Sequence, residues 1–84
     1  MEIKIYTISN CDYCVKIKQV LERANLDYIQ TVVGKDITKD EFKELHPSVR
    51  GFPFVIINGE RVGGLMDTVK YLVEKGLVTS KRRS

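Results

Sequence analysis

Ser9-Asn10-Cys11-Asp12-Tyr13-Cys14 is the stretch from which the fold can be read. An apolar run with Ile3, Ile5 and Ile8 leads into it, and a helical pattern leaves it. It carries both cysteines of the chain. A Cys in the first turn of a helix faces backbone N–H groups without intrahelical partners and the positive end of the helix dipole. Both favour thiolate over thiol, so Cys11 is predicted to ionise below the value of about 8.5 of a free Cys. Cys14, three positions on, shares its helical face and is near enough to close a small disulfide ring. A nucleophilic thiolate with a second thiol in reach is the minimum equipment for reversible thiol–disulfide exchange. Two other readings of the pair stay open at this point. Cys is also a small buried hydrophobe, and two cysteines are half of a metal site. A structural zinc needs four ligands, and His46 is the one further candidate of the usual type, which nearly excludes a monomeric zinc ribbon.

Working outward, Glu2 to Ile8 alternates, with Ile3, Ile5 and Thr7 on one side and Lys4 and Tyr6 on the other, which predicts a strand. Ser9 and Asn10 form a turn, and either has a side chain suited to capping the next helix. Cys14, Ile17, Val20, Leu21 and Ala24 recur at helical spacing, with Lys16, Lys18, Glu22 and Arg23 on the other face. Asn25 is the expected stop. Leu26 to Val33 is a β-rich run broken by Gly34. Strand, helix and strand within about thirty residues make a βαβ unit, hence parallel strands and a right-handed crossover.

Thr38-Lys39-Asp40-Glu41 matches a capping box, with Phe42 and Leu45 as the apolar stripe and Pro47 as the stop. Phe52 to Ile57 is a third strand entered through Pro53, which by itself is equally well an edge-strand proline in trans. Asn58-Gly59 is a two-residue hairpin turn, and Glu60-Arg61-Val62 returns antiparallel. Gly63-Gly64 precedes a last helix marked by Leu65, Val69, Leu72 and Val73 and ended by Gly76. The predicted order is β-α-β-α-β-β-α, an α/β domain with a four-stranded mixed sheet and helices on both faces.

The chain has 84 residues, room for one small domain over 1–77, and no apolar run near the ~20 residues that span a bilayer. Met1-Glu2 leads straight into a strand, so no secretory leader is expected. With two cysteines, a reducing, cytoplasmic setting is expected, where a disulfide is more often catalytic than structural. The formal charge is +3, and Lys81, Arg82 and Arg83 supply much of it within residues 78–84, expected to be a solvated tail. With no Trp to stack on and a basic cluster of only three residues, no nucleic-acid partner is expected, though modest positive charge elsewhere would help attract an anionic thiol substrate.

Cys11-Asp12-Tyr13-Cys14, Phe52-Pro53 and Gly63-Gly64-Leu65-Met66-Asp67, in that order, together resemble the glutaredoxins, small proteins of the thioredoxin fold. The resemblance covers Glu2 to about Leu77. It implies a cis Pro53 beside the thiols and a glutathione site made of Tyr13, Arg50, Phe52, Pro53, Gly64, Met66 and Asp67. The γ-glutamyl end would lie on the last helix's N-terminus, and the cysteinyl part against Phe52. A helix N-terminus and a close backbone suit a carboxylate in any case. The implied activity is reduction of protein disulfides and glutathionylated proteins by Cys11, with Cys14 resolving. Glutathione is the implied reductant, no tightly bound cofactor is expected, and the protein is expected to be a monomer. Ribonucleotide reductase is one client the resemblance implies.

Two departures stand out. Ile8 occupies the position, three before the first cysteine, where many members carry Lys or Arg; Arg50 is the expected substitute. Asp12 replaces the usual Pro, and an acid beside the sulfur opposes ionisation of Cys11. Lack of that proline also keeps open a [2Fe–2S] cluster held by Cys11 of two protomers with two glutathiones. A redoxin reduced by thioredoxin reductase is the other alternative.

Overall fold

The computed structural model describes residues 1–78. Seven elements follow in the predicted order: β1 (Ile3–Thr7), α1 (Asp12–Arg23), β2 (Ile29–Val32), α2 (Lys39–Leu45), β3 (Phe54–Ile57), β4 (Glu60–Gly63) and α3 (Leu65–Glu74). The sheet order is β2-β1-β3-β4. β1 runs parallel to β2, with Lys4 opposite Ile29 and Thr7 opposite Val32. It runs antiparallel to β3, with Ile3 opposite Ile57 and Ile5 opposite Val55. The one parallel pair is the one joined through a helix, as a crossover requires.

Strand alternation divides the apolar residues between two layers. Ile3, Ile5, Val55 and Ile57 pack with Ile17 and Leu21 of α1 and Leu72 of α3 on one face. Val33, Phe42 of α2 and Phe54 gather on the other, with Tyr6, Ile8 and Ile56 against them. Helices thus cover both faces, and the ends of β1 and β3 that carry the cysteine turn and Pro53 lie side by side.

Several boundaries differ from expectation for local reasons. The second strand begins at Ile29, not Leu26. Asn25 takes a left-handed φ of 58°, so the Asn25 N–H donates to Glu22 O at 3.0 Å and the Leu26 N–H to Leu21 O at 2.9 Å. This is a Schellman ending, and it commits Leu26 to closing the helix. The third strand begins at Phe54; Pro53 has no N–H to give the ladder. The capping box forms as expected: the Glu41 N–H donates to Thr38 Oγ1 at 3.0 Å and the Thr38 N–H to Glu41 Oε1 at 2.9 Å. Asn58 and Gly59 both have positive φ, 53° and 81°, as a tight hairpin turn demands. From there Ile57 faces Glu60 and Ile56 faces Arg61, but Val55 faces Gly63, so the ladder is bulged at Val62. Lys81, Arg82 and Arg83 lie outside the described residues.

Candidate functional site

Cys11 stands where β1 has ended and α1 has not begun. Asn10 turns the chain with φ 56°, and Cys11 is extended (φ −120°, ψ 110°) as the N-cap of α1. Its sulfur accepts the Cys14 N–H at 3.1 Å. The cap is therefore the cysteine itself; Ser9 and Asn10, whose side chains suit the task, are spent on the turn before it. A sulfur that accepts a backbone N–H at the positive end of a twelve-residue helix is stabilised most when it carries a full negative charge. Cys11 is partly exposed and Cys14 is buried, 2% accessible. The pair is joined as a disulfide with Cα atoms 5.2 Å apart. An outside disulfide thus reaches Cys11, while Cys14 meets only what is already bonded to its neighbour.

The loop over residues 48–53 and the bulged end of β4 wall a cleft of about 440 Å³ that reaches the cysteine motif at Tyr13. Tyr13, Arg50, Phe52, Pro53 and Gly64, all predicted site residues, line it. The Phe52–Pro53 peptide is cis, as the resemblance implied. Tyr13 is 59% exposed, with Lys16 Nζ 5.6 Å from its ring centre. Cys11 and Cys14 adjoin the cleft through Tyr13 rather than line it, and two of the predicted glutathione residues also stand outside its lining. Met66 is 75% exposed in the first turn of α3, and Asp67 folds back over Gly63. A methyl group built on Gly63 would sit 2.5 Å from Asp67 Oδ2. Gly63 also has φ 126°, so a side chain there would strain the backbone and push the Asp67 carboxylate aside. Gly64, the N-cap of α3, supplies no capping side chain. The helix's first N–H groups are left for a ligand or water to satisfy.

Arg61 also lines the cleft and was not singled out in the sequence. The hairpin register contained the signal: counting back from Asn58-Gly59 puts Arg61 opposite Ile56. Arg50 and Arg61 give the cleft two cations. Arg61 also acts on His46, which caps the C-terminal end of α2. The imidazole packs on Tyr6, Phe42 and Phe54 at centroid distances of 5.3, 5.4 and 5.1 Å. Burial first, and the Arg61 charge second, hold its pKa below the ordinary 6.5. Its Nδ1 is buried with no hydrogen-bond partner among the described residues. His46 is thus a neutral packing group of the aromatic layer under the cleft.

The glutaredoxin family model matches residues 3–62. An uncharacterised glutaredoxin-like 8.6 kDa protein of the rubredoxin operon of Clostridium pasteurianum is 30% identical over 74 residues, which cover 87% of this chain and 99% of that one. Among solved structures, reduced Escherichia coli glutaredoxin superposes with a TM-score of 0.74 at 22% identity, over 93% of this chain and all of that one. NrdH-redoxin of Escherichia coli, a glutaredoxin-like protein with a thioredoxin-like activity profile, superposes with a TM-score of 0.71 at 24% identity, over 86% of this chain and 95% of that one. At these identities the two structural likenesses are of fold.

Proposed function

The chain belongs to the glutaredoxin family, and from that premise we propose that it is a glutathione-dependent dithiol oxidoreductase acting on protein disulfides and glutathionylated proteins. The observation that carries this reading is the junction of an N-capping sulfur with a cleft that offers Arg50, Arg61 and the uncapped start of α3. Glutathione has two carboxylates, one ammonium and one thiol. Cationic side chains and helix N–H groups suit the first, Asp67 the second, and the backbone of Phe52 an extended cysteinyl residue.

The chemistry runs as two exchanges. Cys11 thiolate attacks one sulfur of a client disulfide; the client's other sulfur leaves and takes a proton. Cys14, deprotonated, then attacks the Cys11 sulfur, which releases the second client thiol and leaves the Cys11–Cys14 disulfide. One glutathione thiolate opens that bond at Cys11. A second attacks the glutathionyl sulfur, giving glutathione disulfide and Cys11 thiolate. A glutathionylated client enters at the Cys11–glutathione stage and needs no Cys14.

A second reading has its own support: Ile8 in place of a base, and a fold shared with a redoxin of thioredoxin-like activity profile. It makes thioredoxin reductase the electron source. Turnover of hydroxyethyl disulfide with glutathione and glutathione reductase, against NADPH and thioredoxin reductase, separates the two. We expect turnover with glutathione, weakened in Arg50→Ala and Arg61→Ala. Turnover with the thioredoxin system alone would overturn the first reading. An anaerobic preparation with glutathione that is brown and dimeric would instead favour the cluster-carrying alternative. A cytoplasmic setting and ribonucleotide reductase as client belong to the same proposal. No helix among the described residues is long and apolar enough to cross a membrane.

A further inference from the structure

A second groove, of about 510 Å³, adjoins the thiol cleft on the α2 side of the sheet. Its floor is apolar: Val33 and Phe42, each 4% exposed, with Phe52 beside them. Its rim is cationic: Lys39, Lys43 and Arg50. Lys39 and Lys43 are four positions apart in α2, so their side chains share one face of that helix. Among the described residues, no acid lines the groove. Two carboxylates next in sequence to its lining elements are committed to local backbone. Glu41 accepts the Thr38 N–H, and Asp36 accepts the Val32 N–H at 2.8 Å.

The groove is continuous with the site of chemistry. Ser9, two residues before Cys11, lies on its wall, and Arg50 and Phe52 line both it and the thiol cleft. An extended chain whose cysteine meets Cys11, and whose backbone pairs at Phe52, therefore carries a flanking residue across Arg50 into it. Apolar floor and cationic rim select together: an aromatic side chain to bury on Phe42 and Phe52, and carboxylates to meet the lysines. We propose that this groove docks the segment flanking the reactive cysteine of a protein client, and that the segment is acidic and carries an aromatic residue. The proposal rests on the dithiol chemistry above and not on the source of its electrons.

The test uses the pre-reduced full chain in a single turnover without glutathione, so a failure here is separate from a failure of glutathione recycling. Peptides with an internal disulfide carry a Phe-Glu-Glu, Phe-Gln-Gln, Ala-Glu-Glu or Ala-Gln-Gln flank, placed before or after the cysteines in turn. Each turnover passes two electrons from Cys11 and Cys14 to the peptide disulfide, giving a peptide dithiol and the Cys11–Cys14 disulfide. The Phe-Glu-Glu peptide should react about tenfold faster than Ala-Gln-Gln at low salt, in the range of electrostatic steering, and the advantage should shrink as salt is added. Lys39→Gln with Lys43→Gln should abolish the advantage of glutamate and leave the rate with hydroxyethyl disulfide unchanged. Thermal melting confirms that this variant folds. Equal rates for all four peptides on the wild-type protein would overturn the proposal. An equal loss toward hydroxyethyl disulfide and the acidic peptide in the variant would do the same.

Discussion

At the scale of single residues, the two sulfurs have unequal surroundings. Cys11 is partly open and accepts the Cys14 N–H, while Cys14 is sealed at 2% exposure. Cys14→Ser is expected to keep deglutathionylation of a peptide and to lose reduction of protein disulfides, and Cys11→Ser to lose both; coupled glutathione reductase assays on the two substrates read this out. Gly63 is the other residue whose identity the geometry dictates. Its φ of 126° strains any residue with a side chain, and a methyl group would displace the Asp67 carboxylate. Gly63→Ala should cost about 1–3 kcal/mol in urea unfolding, and should weaken glutathione binding by displacing Asp67. The Cys-x-x-Cys pattern was legible in the sequence because its meaning is local. The place of Arg61 in the cleft is set by the β3–β4 pairing and shows only once the hairpin register is counted.

At the scale of elements, the start of α2 and the end of α1 are set by devices that can be read in the chain. Thr38 and Glu41 close their capping box, and Thr38→Ala should cost about 1 kcal/mol, measured as a lowered denaturant midpoint with an unchanged slope. The far end of the same helix carries His46, half-buried, its pKa held down by burial and then by the Arg61 charge. In the unfolded chain this imidazole takes up a proton near 6.5; in the fold it resists until lower pH. In that interval the unfolded state holds more protons, so stability is full above the unfolded value and declines as pH falls through the interval. His46→Phe should flatten this part of a plot of melting temperature against pH. The shortened second strand belongs at this scale too. Asn25 was recognised as a stop, but Schellman closure takes Leu26 as well.

At the scale of the whole molecule, one sheet separates two apolar layers with different duties. The layer of Ile17, Leu21, Val55 and Leu72 holds α1 and α3, and with them the cysteine turn and the cleft's helix terminus. Phe42 and Phe54, in the other, underlie the cleft and the basic groove. Leu72 is fully buried, and Leu72→Ala should cost about 2–5 kcal/mol. For 84 residues, total stability is on the order of 4–13 kcal/mol. That single substitution thus removes a large share of it, visible as a drop in thermal midpoint.

What the chain determined alone was everything governed by near neighbours: the periodicity of each element, the capping box, the hairpin turn, the spacing of the two thiols and the three motifs that mark the family. Those signals act over a few residues, so they survive in a linear reading. Folding decided which distant residues share a wall. Arg61 joins Arg50 through the β3–β4 register, the pairing of β1 with β3 brings the cysteine turn to Pro53, and two lysines of α2 come to flank Phe52. Such neighbours are made by strand pairing and by packing against a shared core, and no short window of sequence contains both partners.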